Sequence, residues 1–393
     1  MMPGPYLLTT LLYILVALLA AVDASLVSVN LAGPFVALRW VRVHFITLGI
    51  ISQFIFGLLP GLTASLSKKP RPSMRWDIWL ALNGGLIALV AGFSGANQPM
   101  ILAGGVLIFT AAVLLLIQLW GARGGAAPAS LKFYITGVLY LLVGIIIGTG
   151  LWLNWSKILH IKVPLEVHIH ANSWGFMSLV FAGLLVDFVP VITGRPIGSK
   201  RSVSFIYWGM TLGAFGLVLG PWIGGSLPPT VAGLILHLSA TVWLLVSLVQ
   251  AFNKSSKLKM PGPWHLIASY LWILAPVLAA PMILLGLLDG GPIESTAPQA
   301  LIYGWVLPFG IALVPYISRR YLLKEENPPL GGCWGSLAAV TIGSLLVWIS
   351  IFIPPFRGLL YGFGFVLYAV ALIHPLKELA QIIRTGFQKY QQV

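Results

Sequence analysis

The residues best suited to chemistry in this chain are histidines that recur in a fixed setting. His44-x4-Gly49-x7-Gly57-Leu-Leu-Pro60 is followed by His170-x4-Gly175-x7-Gly183-Leu-Leu, which closes at Pro190. A decayed third copy reads Gln299-x4-Gly304-x7-Ala312-Leu-Val-Pro315. The copies lie 126 and 129 residues apart, a period far longer than any solenoid unit. In the second copy the motif is doubled to His168-Ile-His170. On a helix, positions two apart point about 200° from one another. His168 and His170 therefore face opposite sides of their helix and cannot chelate one ion together. Such a helix suits a wall between two compartments. Imidazoles from two facing helices are what a bis-histidine haem needs, and Gly49, Gly57, Gly175 and Gly183 offer close approach for a flat macrocycle.

The elements that carry these residues must be membrane helices. The chain of 393 residues is 58% hydrophobic and 8% charged, with mean hydropathy +0.95, which no soluble domain of this length matches. Apolar stretches long enough to cross the bilayer fall at about 6–29, 37–60, 76–95, 100–121, 131–154, 164–190, 203–223, 228–252, 264–288, 298–318, 333–353 and 357–376. The expected fold is all-α: one integral membrane domain over 1–393 with about twelve spans, four in each of three repeats near 1–125, 126–255 and 256–393. The first span continues into a polytopic pattern without a small-residue cleavage site, so it reads as a span and not as a removed signal.

Charge sets the orientation. Of 23 Lys and Arg, eighteen fall in alternate loops and the C-terminal tail, and only Arg39, Arg42, Lys157, Lys162 and Arg357 fall on the other side. The positive-inside rule puts both termini in the cytoplasm of a cell (inner) membrane protein. The net charge of +14 is accounted for by that rule and by anionic lipid, with no nucleic acid required. His44, His168, His170 and His237 then share the outer half of the bilayer. His265 and His374 lie near the cytoplasmic face, and His160 lies in an outer loop. Ionisable groups at such depth are functional candidates. Arg39, Arg42 and Arg357 are placed to pair with carboxylates on the outer side. Asp187, near the inner end of the sixth span, suits a proton path or a local hydrogen bond, and Asp23 is the other unusual in-span carboxylate. With the single Cys333 there is no intrachain disulfide, no cysteine-ligated cluster and no covalent haem attachment. A Walker A loop is also missing.

His168-Ile-His170-Ala-Asn-Ser-Trp-Gly175-Phe, running on to Gly183-Leu-Leu-Val-Asp-Phe-Val-Pro190, resembles the H-x-H helix of haem-copper oxidase subunit I. The similarity is nearest to C-type oxidases and nitric oxide reductases. The NnrS family of membrane proteins linked to nitric oxide metabolism is similar in size, and Trp264-His265-Leu resembles it too. The resemblance implies three arcs of four helices and haem b on the two faces of the motif helix. Carried over position by position, it implies one low-spin haem held by His44 and His168, with the outer arginines at its propionates. A second haem at His170 would meet Ala297 on the next motif helix, leaving His237 as the nearest other ligand in depth; the compartment offering Gln299 and Arg42 would hold none. The chain departs from the family in placing H-x-H on the sixth span and not the tenth. The seventh span (203–223) lacks the histidines of a copper site, so no oxygen-reducing copper centre is expected. The implied role is electron transfer or haem-based gas chemistry (nitric oxide or oxygen), in a respiratory assembly with other subunits or an electron-carrier protein on the outer face. Two other classes compete: a secondary solute transporter, which would show helices broken at the bilayer midplane, and a cofactor-free structural subunit.

Overall fold

A computed structural model describes residues 4–33, 36–124, 127–224, 227–255 and 257–391, with the side chains of 36–39, 276–277, 294–295 and 390–391 left aside. The described residues form helices and no strands. Among the described residues eleven helices are long and apolar enough to cross a membrane: α1 (Gly4–Ser28), α2 (Trp40–Leu66), α3 (Trp76–Ser94), α4 (Gln98–Gly121), α5 (Leu131–Leu153), α6 (Pro164–Thr193), α7 (Lys200–Trp222), α8 (Leu227–Lys254), α9 (Pro261–Leu284), α10 (Gly290–Leu322) and α12 (Pro354–Lys389). The shorter apolar α11 (Trp334–Ile349) occupies the stretch expected at 333–353. The protein is an all-α polytopic membrane protein, and the lipid bilayer is its environment.

Polar signals place the helix ends. The side chain of Asn97 accepts from the Met100 amide ahead of α4, and that of Ser199 from the Ser202 amide ahead of α7, each satisfying one amide that the first turn leaves orphaned. Asn154 and Gly194, both left-handed, close α5 and α6. α12 runs past the expected end of its apolar stretch at 376, because a helix can continue where only one face stays apolar: Leu379, Ile382 and Gly386 are buried there while Lys377 and Arg384 are exposed.

The three motif helices stand apart from the rest. The most apolar stretch of α2 is 83% buried, that of α6 78% and that of α10 100%, whereas the other spans bury half or less. Each motif helix also changes its winding at the same place. A π-helical segment runs over Phe45–Ser52 in α2, Ala171–Met177 in α6 and Ile302–Val306 in α10. The first two begin on the residue after His44 and His170. Such segments are rare and gather at functional sites. Each copy carries a proline further along the helix, at 60, 190 and 315.

The chain divides into two compact units, residues 1–57 with 257–393, and residues 58–256. In the first, α1 packs along α12 and α11 along α12, the latter through Gly343 and Gly364, each of which lies against the other helix's backbone. In the second, α3 packs on α4 and α7 on α8. There Gly85 meets Gly104, and Gly213 and Gly216 meet α8 at His237 and Gly233. Small residues let backbones approach where lipid offers no hydrophobic drive to associate.

Candidate functional site

In the second unit the doubled motif is held from two sides. His168 Nδ1 lies 2.9 Å from the Gly144 carbonyl oxygen of α5, and His170 Nδ1 lies 2.6 Å from the Leu217 carbonyl oxygen of α7. The two imidazoles thus engage different helices, as their two-residue spacing demands. A carbonyl oxygen can only accept, so Nδ1 carries the proton in both rings and Nε2 carries the lone pair. The His168 ring rests on α5 where Gly148 leaves room; a Cβ there would strike Cε1 and Nδ1. Asn172, one turn on, donates its amide to the His168 carbonyl at 2.8 Å, with the same nitrogen 3.3 Å from Nδ1.

In the first unit His44 repeats the arrangement by local means. Its Nδ1 lies 2.9 Å from the Trp40 carbonyl oxygen one turn back, which again puts the lone pair on Nε2. Its ring stacks on the Trp40 indole, with centroids 4.1 Å apart and planes 5° from parallel.

His237 belongs to the second unit and lies within electrostatic reach of His170, but its chemistry differs. Nε2 sits 3.3 Å from the Trp174 carbonyl oxygen and Nδ1 sits 3.3 Å from the Thr241 hydroxyl. Nε2 must donate, and Thr241 must donate to Nδ1. Both ring nitrogens are therefore committed to the protein, and the imidazole clamps the π segment of α6 to α8, its ring edge-on to Trp174 at 5.1 Å. His265 also donates through Nε2, which lies 3.3 Å from the Cys333 carbonyl and 3.0 Å from Ser336 Oγ. His374 instead points Nε2 at Glu378.

The arginines part company. Arg42, 8% exposed, pairs with Asp23 of α1 at 3.1 Å, and its main-chain carbonyl accepts from the Tyr303 hydroxyl at 2.8 Å. Arg357 is exposed at the start of α12. The side chain of Arg39 lies outside the described residues. Asp187 accepts from the Tyr134 hydroxyl of α5 at 2.5 Å.

The motif glycines admit aromatic rings where the sequence suggested a slot for a macrocycle. Gly49 faces Tyr13 of α1, Gly175 faces Tyr140 of α5 and Gly304 faces Trp272 of α9. Gly183 receives Tyr134 and Phe133 of α5. Each leading helix of a repeat thus seats an aromatic on its motif helix, and those aromatics recur about every 130 residues, a period the sequence carries but the histidine motif hides. Asn172 and Trp40 were equally legible in principle, one turn after His168 and one turn before His44.

Among the described residues no three His, Cys, Asp or Glu side chains gather into a metal cage. A bis-histidine iron asks for only two protein ligands, so the test of fit for haem falls on imidazole chemistry. His44, His168 and His170 meet the donor requirement, since a metal-binding histidine ordinarily gives its second N–H to a carbonyl or carboxylate, fixing tautomer and orientation, while the space beside Gly49, Gly175 and Gly183 is taken by Tyr13, Tyr140 and Tyr134. Compared with known proteins, the chain matches no family model and no curated sequence.

Proposed function

We propose that this chain is a haem b-binding membrane protein related to haem-copper oxidase subunit I, and that it serves electron transfer or haem-based gas chemistry. One observation carries the reading: the three motif histidines, and no other histidine with a described ring contact, direct Nδ1 to a main-chain carbonyl. His44, His168 and His170 would hold iron through Nε2, and haem when bound supplies one-electron redox chemistry. Gly144, Leu217 and Trp40 fix the tautomers, and Asn172 buttresses His168. A copper–haem oxygen-reducing centre has no support on α7, which carries no histidine. The carrier class would need helices broken at the midplane, whereas α2, α6 and α10 each run unbroken. Placement in the inner membrane with both termini cytoplasmic, and partnership with respiratory subunits or an outer-face electron carrier, belong to the same reading.

The test is optical. The purified protein should give a pyridine haemochrome of b type, and His44→Ala and His168→Ala should each lose low-spin absorbance. Carbon monoxide added to the reduced protein should shift the Soret band if His170 leaves a coordination position open, and His170→Ala should abolish that shift. A protein purified without haem from haem-replete cells would end the proposal in favour of the carrier or structural classes.

A further inference from the structure

The first unit contains a cavity that the histidine chemistry does not use. It opens between α1, α2, α10 and α12, and most of its volume of about 380 Å³ is open space at its mouth. Its walls are aliphatic, among them Ile14, Ile46, Ile50, Gly310, Val314 and Leu372. Ile46 and Ile50 belong to the π segment of α2, and Pro315 and Pro375 line the cavity where α10 and α12 approach each other. In water such a lining would stay dry. In a membrane, a part-open apolar cavity is filled by whatever hydrocarbon reaches it.

A charged cluster lies next along the chain from two of the wall residues. Pro315 is one turn before Arg319 on α10, and Leu379, another wall residue, directly follows Glu378 on α12. Arg319 pairs with Glu378 at 3.1 Å, and Glu378 Oε2 also lies 3.4 Å from the Gly332 amide and 3.6 Å from His374 Nε2. That single carboxylate is already shared, while Arg319 Nε is buried without a hydrogen-bond partner among the described residues. A buried donor left unpaired is costly, so an acceptor is wanted beside Arg319. Arg320 follows on α10 and the exposed Lys377 stands on α12. Arg320 donates to the Glu326 carbonyl, so Arg319 is the cation with a donor still to place, one turn beyond the aliphatic wall at Pro315.

We propose that this cavity binds one anionic phospholipid, with an acyl chain between the π segment of α2 and α10 and the phosphate at Arg319. Aliphatic walls select a tail, the unpaired Nε of Arg319 selects an anionic headgroup, and basic pockets between membrane helices are a known form of lipid recognition. The site uses none of the proposed iron ligands His44, His168 and His170 and needs no haem.

Native mass spectrometry of the delipidated full chain, offered phosphatidylglycerol and phosphatidylcholine in equal amounts, tests this. Wild type should retain one phosphatidylglycerol. Arg319→Gln should lower the preference for it about fivefold, the worth of one cation near an anionic headgroup, and Arg319→Lys should restore part of it. Val314→Phe fills the cavity and should weaken retention of the lipid as a whole; Gly310→Ala, whose new Cβ would lie 3.0 Å from Ile51 Cδ1, is the gentler filling and should do so less. Equal retention of the two lipids by wild type would overturn the proposal. So would retention unchanged in Val314→Phe and Arg319→Gln, or displacement of the lipid by inorganic phosphate alone, which would mark an ion site without a tail.

Discussion

Gly175→Ala puts the internal repeat to a quantitative test. The added Cβ would overlap Cβ, Cγ and Cδ1 of Tyr140. Those atoms sit at the root of the side chain, so relief requires α5 itself to move. Overpacking of that kind costs about 1–3 kcal/mol. Alanine also recovers about 1 kcal/mol of helix propensity over glycine, which obscures a single measurement. Gly49→Ala supplies the control, because Gly49 lies in the matching π segment and its Cβ would meet Tyr13 at 3.3 Å, a contact a few tenths of an ångström can relieve. The propensity gain is shared, so the difference between the two variants isolates the overlap and should fall at about 1–3 kcal/mol. Gly304→Ala, with Trp272 Cγ at 2.7 Å and Ser344 Oγ at 3.0 Å, should fall between them. Unfolding in mixed micelles, followed by helical circular dichroism, reads all three. Combining Gly175→Ala with Tyr140→Gly should cost less than the two separately, since the struck Cβ, Cγ and Cδ1 have gone. Equal costs for Gly175→Ala and Gly49→Ala, or strict additivity in the double variant, would refute the packing described for α5 and α6.

Other perturbations follow from the same geometry. Arg42→Met strands the Asp23 carboxylate and should cost about 3–5 kcal/mol, whereas Arg42→Met with Asp23→Leu should be close to neutral; equal costs for the single and the double in micelle unfolding would show that the pair is not coupled. His237→Ala should destabilise by about 1–3 kcal/mol through the orphaned Trp174 carbonyl and leave any haem spectrum in place, so loss of the spectrum would make His237 a ligand. Asn172→Leu should weaken haem retention about 10–100-fold in titrations of the haem-depleted protein, as loss of an outer-shell partner does, and full retention would reduce Asn172 to a helix-packing residue.

The sequence made some of this legible for reasons of range. Hydropathy over twenty residues depends on little besides the residues themselves, so the membrane spans could be read directly; α11, the shortest, still shows as an apolar run. The opposed directions of His168 and His170 follow from helix arithmetic alone. The π segments were not legible, because an i→i+5 winding is selected by what packs on it, here Tyr13, Tyr140 and Trp272 from other helices. The motif glycines misled for the same reason: a glycine announces close approach without saying what approaches. The Arg42–Asp23 pair joins residues nineteen apart on two helices, and nothing in the local pattern around either marks the other.

The three copies of the motif show how one scaffold position takes different chemistry. Two residues before His44, His170 and Gln299 stand Arg42, His168 and Ala297. Arg42 reaches back to the leading helix of its own repeat, α1, through Asp23, and His168 reaches back to its own leading helix, α5, through the Gly144 carbonyl. Ala297 makes no polar bond and lies in an apolar cluster with Ile293 and Ile351. The second position diverges as well: His44 bonds its own helix, His170 bonds α7, and Gln299 accepts from the Tyr361 hydroxyl of α12. An ion pair, an imidazole and a methyl group therefore fill equivalent places beneath the same aromatic-on-glycine contact. That contact recurs in all three repeats while the polar groups differ, so it does not require a histidine at either position. In the second repeat both positions carry histidine, and each ties its Nδ1 proton to a carbonyl of a neighbouring helix, the arrangement that the proposed ligation through Nε2 would use.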